Sequence, residues 1–343
     1  MKKFLYFILM GTMILTTCSK KESKKSSSKL DIRGVHLCLH ADTLDVDYAK
    51  QLISEIGRLG FNTLILEVDN VVQLNSHPEL AKPNALTTQQ LQELISLAKN
   101  SGLEVIPDFQ TMGHQDYLFA KTYPDLVENH EQPYAYCPSN PKTYTILFEI
   151  YDELIELFKP KYFHIGHDEI LDFQHNHKQI GYCEQCKNTP PDQLLAKDIS
   201  KIYDYLKSKN VQTMIWGDMF LAKEQFPPTP GRAYFGGEPD NTWNAINLIP
   251  KDIIVCDWQY GSDRDPRPEY PSLGFFITKG FRTIGTVWYN PDNIRDFTMA
   301  AESQQSPQMS GMIISTWCAV NKDSFENTPH KMLEAIRFAS RTF

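Results

Sequence analysis

Short apolar runs alternate with amphipathic helical patterns from about residue 30 to the end of the chain, and this beat limits the fold more than any other feature. Neighbouring parallel strands must be joined by a crossover of a dozen or more residues, and a helix is the usual solution. Arg33 to His40, Thr63 to Val68, Leu103 to Phe109 and Tyr162 to Gly166 read as strands one to four. Gln212 to Trp216, Ile253 to Trp258, Arg282 to Trp288 and Met312 to Trp317 read as strands five to eight. Helical spacing predicts helices over Val46 to Leu59, Thr88 to Asn100, Lys142 to Phe158, Asp192 to Lys209, Asp292 to Ser303 and Pro329 to Ser340. After strands five and six, Pro and Gly break the pattern. Eight such repeats imply an α/β protein with a closed (β/α)8 TIM barrel rather than an open doubly wound sheet. A glycine-rich phosphate loop opens none of these helices, which argues against a nucleotide-binding variant.

The first residues have a secretory layout. Lys2 and Lys3 precede an apolar run from Phe4 to Leu15 that is too short to span a bilayer. Leu15-Thr16-Thr17-Cys18 resembles a bacterial lipobox, so residues 1–17 are expected to be a lipoprotein signal peptide and Cys18 the lipidated N-terminus. Thr17 departs from the small residue usual there, and a simple cleaved signal with a chance cysteine is the alternative. Residues 18–30 are polar and lysine-rich and read as a flexible tether, which leaves 31–343 for the barrel. The expected location is therefore outside the cytoplasm, lipid-anchored to a bacterial membrane on its periplasmic or cell-surface face. The net charge is −8 although signal and tether are basic, so the folded part is more acidic still and nucleic acid is excluded as a partner.

Barrels of this class carry their functional groups at the C-terminal ends of the strands. Strand three ends in Asp108, with Gly113-His114 beyond it, and strand four in His164-Ile165-Gly166-His167-Asp168-Glu169. Strands five to eight end in Trp216 with Asp218, Asp257 with Trp258, Trp288 with Tyr289, and Trp317. Four of the five tryptophans thus fall at one face, and aromatic faces pack against the apolar C–H face of a sugar ring, which makes a carbohydrate the expected substrate. Asp168 and Glu169 are the candidates for chemistry. Cleaving a glycosidic bond needs an acid to protonate the leaving oxygen and a group to stabilise an oxocarbenium-like charge. Strand seven ends Thr286-Val287-Trp288-Tyr289-Asn290, without the carboxylate that many retaining barrels carry there. Adjacent carboxyls suit a route in which the substrate's own 2-acetamido oxygen attacks the anomeric carbon. Asp168 then orients that group, and Glu169 serves as acid and base. Such hydrolysis requires no cofactor.

At these residues the chain resembles glycoside hydrolase family 20, the β-N-acetylhexosaminidases. The resemblance runs through Arg33-Gly34, Ile106-Pro107-Asp108 with Gly113-His114, Tyr136-Cys137-Pro138-Ser139-Asn140, the run from His164 to Glu169, and Ile215-Trp216-Gly217-Asp218 with Trp258. It implies that Arg33 binds the sugar's outer hydroxyls, that Trp216 and Trp258 wall the N-acetyl pocket, and that Tyr289 hydrogen-bonds the acetamido group beside Asp168. With His114, His164, Asp218, Trp288 and Trp317 these make up the expected substrate-binding set. The sequence departs from the family pattern at Cys38, at His167, which puts a titratable ring beside the acid, and at Trp317-Cys318-Ala319, where many members have Trp-x-Glu. Two other readings stay open: a carbohydrate-binding lipoprotein without turnover, and a two-carboxylate retaining glycosidase using Asp218 or Asp257 as nucleophile. Cys183 and Cys186, with His175 and His177 upstream, form a C-x-x-C motif that suits zinc, a local disulfide or free thiols. The hydrolysis itself needs no metal.

Overall fold

The computed structural model describes residues 30–39, 43–170, 179–226, 234–261 and 270–343. The expected signal peptide, Cys18 and nearly all of the tether lie outside the described residues, as do His40, His175 and His177. Leu30, assigned to the tether by its sequence, is buried in the core.

Eight parallel strands close into a barrel: β1 (Ile32–Cys38), β2 (Thr63–Glu67), β3 (Glu104–Thr111), β4 (Tyr162–Gly166), β5 (Gln212–Trp216), β6 (Ile254–Trp258), β7 (Arg282–Val287) and β8 (Met309–Ser315). Each strand pairs with its neighbours in sequence, and β1 closes on β8, with Val35 opposite both Leu64 and Ile314. Closure leaves no exposed sheet edge. Inside, Ile32, Ile65, Ile106, Met214, Ile254, Ile284 and Ile313 pack with Trp216 into one apolar cluster. Branched side chains filling the lumen in layers are what make such a barrel a solid core rather than a pore. At Gly311 the β1 backbone comes so close that a Cβ would strike the Ile32 carbonyl, so only glycine fits there.

Helices cover the barrel: α1 (Val46–Arg58), α2 (Thr88–Asn100), α3 (Pro141–Phe158), α4 (Pro191–Ser208), α5 (Pro271–Thr278), α6 (Pro291–Ser303) and α7 (Met332–Thr342). Their starts are written in local chemistry. Asp45 accepts from the Tyr48 N–H, Thr87 and Gln90 form a reciprocal capping box, and Asn140 caps α3 just ahead of Pro141. Such caps satisfy backbone donors that the first turn leaves orphaned, each worth about 1 kcal/mol. The break expected after strand five is real: two 3-10 turns, Asp218–Phe220 and Trp243–Asn247, lie where an α-helix would sit. After strand six the short α5 forms. Strands seven and eight end earlier than expected, at Val287 and Ser315. Trp288 and Trp317 leave the ladder and turn over the barrel mouth, Trp317 with a φ of 31°. Among the described residues no helix is long and apolar enough to cross a membrane.

Candidate active site

A cavity of about 370 Å³ opens at the C-terminal mouth of the barrel, lined by Glu67, Gln110, His114, Tyr117, Asp168, Glu169, Trp258, Tyr260, Trp288 and Trp317. The acidic pair reaches it through an unusual backbone. Gly166, His167 and Glu169 have φ values of 69°, 69° and 49°, a left-handed region that costs a non-glycine residue roughly 1 kcal/mol or more. At Gly166 a Cβ would meet the amide end of the Gln110 side chain, so a larger residue there would have to displace that group.

His167 holds the contorted segment in place. Its ring is buried and turned away from the cavity, with Nε2 2.7 Å from Asp198 Oδ2 on α4 and Nδ1 2.7 Å from Thr111 Oγ1 on β3. Asp198 also accepts from the hydroxyls of Tyr136 (2.9 Å) and Tyr144 (2.7 Å). The expectation that this histidine sits beside the acid is therefore corrected: alternation along the chain sends residue 167 outward into the helix layer and residue 168 inward.

The groups facing the cavity interact at longer range. His114 Nε2 is 3.6 Å from Asp168 Oδ2 and 3.7 Å from Glu169 Oε2. Its Nδ1 lies 2.6 Å from the Tyr134 hydroxyl. Burial works against the His114 cation, but the charges of Asp168 and Glu169 outweigh it and lift the imidazole to about 9. Burial also opposes ionisation of Asp168, yet the His114 charge beside it, with smaller polar contributions from His114 and Gln110, holds this carboxyl below its usual range. Glu169 goes the other way. Burial first, then repulsion from Asp168, raise it to about 7, against a smaller pull from His114. Two adjacent carboxyls thus have separated affinities for a proton, the pattern of an acid beside a permanent anion. Asp168 Oδ1 is buried without a hydrogen-bond partner.

Of the expected site residues, the structure brings His114, Asp168, Glu169, Trp258, Trp288 and Trp317 to the cavity wall. Five others are corrected. Arg33 lies near the start of β1, and its guanidinium donates to the Gly60 carbonyl at 2.5 Å, at the opposite, N-terminal end of the barrel. Trp216 is buried beneath the cavity floor against His164, His36 and Trp317, as barrel core. His164 is sealed in the same layer with Nδ1 3.1 Å from Asp108 Oδ1. Asp218 supports the site from behind, accepting from the Glu169 N–H at 2.8 Å and from Trp258 Nε1 at 3.1 Å. Burial and the Asp168 charge push this carboxyl well above its usual range. Tyr289 stacks on His330, with ring centroids 4.1 Å apart, and lies off the cavity wall.

Two tyrosines do line the cavity, Tyr117 and Tyr260; the Tyr260 oxygen accepts from Trp317 Nε1 at 2.6 Å and its ring stacks on Trp258. The signal for Tyr260 was present: two residues after Trp258, it shares that residue's face in an extended run. Gln110 follows Asp108 by the same period. Glu67, at the end of β2, has Oε2 3.4 Å from His36 Nε2, and His36 in turn meets Asp108 at 3.2 Å. Cys183 and Cys186 do not face the cavity and instead meet Cys137.

A parallel barrel whose mouth holds an acid–anion pair inside an aromatic wall defines a site of the carbohydrate-handling type. The pattern of glycosyl hydrolase family 20, catalytic domain, matches residues 46–266, and the chain belongs to this family. It is similar to lacto-N-biosidase of Bifidobacterium bifidum, with 25% identity over 90% of this chain and 28% of that protein. It is similar also to β-hexosaminidase subunit A2 of Dictyostelium discoideum, with 30% identity over 61% of this chain and 39% of the relative. The chain spans less than half the length of both relatives. In fold it resembles the chitobiase of Flavobacterium johnsoniae, with a TM-score of 0.69 and 19% identity over 92% of this chain and 48% of the other.

Proposed function

We propose that the protein is a retaining β-N-acetylhexosaminidase that uses the substrate's own 2-acetamido group as nucleophile. The observation that carries this reading is the split within the pair: Glu169 holds a proton up to about pH 7, while Asp168 is kept ionised. In the first half of the reaction Glu169 protonates the departing glycosidic oxygen as the acetamido oxygen bonds to the anomeric carbon. Asp168, through the buried Oδ1 that has no partner, accepts the acetamido N–H and balances the positive charge of the oxazolinium ion. In the second half Glu169, now ionised, takes a proton from water as that water opens the ring. Trp258, Trp288, Trp317 and Tyr260 offer faces for the sugar and exclude water from it.

The two-carboxylate alternative has less support, because neither Asp218 nor Asp257 borders the cavity. A binding protein without turnover does not need an acid tuned to neutral pH. The test is release of a chromophore from β-GlcNAc and β-GalNAc glycosides by the full chain in detergent, with a thiazoline mimic of the cyclised intermediate as inhibitor. Glycan binding without release across a broad panel would sink the reading in favour of the binding protein. A covalent glycosyl adduct on Asp218 or Asp257 would do so in favour of the two-carboxylate mechanism.

We also infer export and anchoring through lipid on Cys18, from the signal and lipobox pattern of residues 1–18. Cys18→Ala should move the protein out of the membrane fraction. Unchanged membrane association of that variant would refute the anchor.

A further inference from the structure

Outside the cavity, three thiols and a buried carboxylate converge where the β3–α3 and β4–α4 connections meet. Cys137 lies just ahead of α3, on the first connection. Cys183 and Cys186 flank a turn on the second, in which the N–H groups of Cys186 and Lys187 donate to the Cys183 carbonyl at 3.0 and 2.9 Å. Cys137 Sγ is 3.4 Å from Cys183 Sγ and 3.5 Å from Cys186 Sγ, and none of the three is in a disulfide. Glu128 completes the group: one ligand atom from each of the four residues lies within 4.8 Å of the others. Its carboxylate is held rigidly, because Oε2 accepts from the backbone N–H groups of Tyr182 (3.0 Å) and Cys183 (2.8 Å). The other oxygen, Oε1, is buried without a hydrogen-bond partner, and the carboxylate lies against the Cys186 thiol.

We propose that Cys137, Cys183, Cys186 and Glu128 form a structural zinc site that clamps these two connections together. Zinc takes thiolate and carboxylate ligands tetrahedrally, and Zn–S bonds of about 2.3 Å set sulfurs roughly 3.8 Å apart. The Cys137–Cys183 and Cys137–Cys186 sulfur pairs need to spread by only a few tenths of an ångström to admit the ion. A C-x-x-C turn plus two ligands from a second segment is the layout of structural zinc modules. Four protein ligands fill the coordination shell, so the ion has no open position for water and no part in hydrolysis. Thiolates select a soft ion over magnesium or calcium. On binding, the three thiols release their protons to solvent, and the buried carboxylate oxygen gains the partner it lacks. The clamp bears on the active site from both sides. The first connection carries Tyr134, which meets His114, and the second begins with Asp168 and Glu169.

The test is metal analysis of the full chain, supplied with zinc and then freed of loose ion without chelator. About one zinc per chain is expected, falling to background when Cys183→Ser and Cys186→Ser are combined and unchanged in Cys318→Ser. Cobalt(II) in place of zinc should give thiolate-to-metal charge transfer in the near ultraviolet and the strong visible bands of a tetrahedral ion. Glu128→Gln should keep the charge-transfer band while weakening zinc binding roughly tenfold or more. Zinc content in the wild-type chain no higher than in the double variant overturns the proposal. So does a chain lighter by two hydrogens, with a disulfide mapped among these three cysteines.

Discussion

Two histidine–carboxylate groups flank the end of β4, built from neighbouring residues to opposite ends. His167 and Asp198 are sealed, 2.7 Å apart, and Asp198 is further satisfied by Tyr136 and Tyr144. His114 faces Asp168 and Glu169 across 3.6 and 3.7 Å at the wall of a cavity, and Asp168 keeps one oxygen without a partner. The difference separates structure from chemistry. A buried polar network that is fully satisfied makes one conformation rigid, and here it fixes the left-handed turn that aims Asp168 and Glu169 at the cavity. A network left incomplete in a cavity keeps hydrogen-bonding capacity for a substrate and holds protons with shifted affinities.

Of the residues in the open group, Glu169 is the one whose loss should cost most. Glu169→Gln should lower turnover of glycosides with poor leaving groups about 10²–10⁴-fold, the usual worth of a general acid, and should spare activated aryl glycosides in the first step. In the wild type, kcat/KM should fall as pH rises through about 7, where Glu169 loses its proton. Stability carries the same signature. The raised folded pKa means that ionising Glu169 costs more in the folded chain than in the unfolded one, a penalty absent below about pH 4 and complete above about pH 7. The glutamine variant should therefore gain Tm over the wild type at pH 8 and not at pH 4. Equal Tm differences at both pH values would remove burial as the origin of the shift.

His167→Leu attacks the sealed group and should act on stability. Leaving a buried polar group without its partner costs about 1–3 kcal/mol, and His167→Leu removes the contacts to both Asp198 and Thr111 while two tyrosine donors stay on Asp198. Denaturant unfolding should show a loss of about 3 kcal/mol, with the basic limb of the pH–rate profile unmoved in the fraction that folds. A shifted limb would mean that His167 acts on the acid after all, as its position in the sequence suggests.

That contrast also explains what could be read in advance. Strands and helices were legible because burial imposes a period on every element: β4, β5 and α2 run as expected, and other boundaries shift by a few residues. Asp168, Glu169, Trp258, Trp288 and Trp317 were legible because the barrel presents strand ends to one face. Arg33 misled because it begins its strand, and in a parallel barrel the two ends of one strand face opposite poles. His164 and Trp216 do point inward, but one layer too deep, and depth inside a barrel leaves no mark on sequence spacing. Cys137 and Glu128 could not be joined to Cys183 and Cys186, because a contact across more than 40 residues between irregular loops has no local period.

His114→Gln tests the open group at a smaller scale. Loss of the cation lets Asp168 and Glu169 both rise, since His114 lowers each. The basic limb should move above pH 7 and the acid limb should rise with Asp168, while kcat/KM at the optimum falls about tenfold, one pKa unit of interaction. Unmoved limbs would leave His114 as packing.

The gentlest probe is Tyr260→Phe. It keeps the stacked ring against Trp258 and removes only the acceptor that meets Trp317 Nε1 at 2.6 Å. A neutral hydrogen bond is worth about 1 kcal/mol net, so KM should rise about fivefold as Trp317 loses its fixed angle, with kcat nearly unchanged. The limbs of the pH profile should stay where they are, because the substitution moves no charge. A fall in kcat with KM unchanged would instead assign the Tyr260 hydroxyl to the transition state, and would place on strand six the acetamido contact expected of Tyr289.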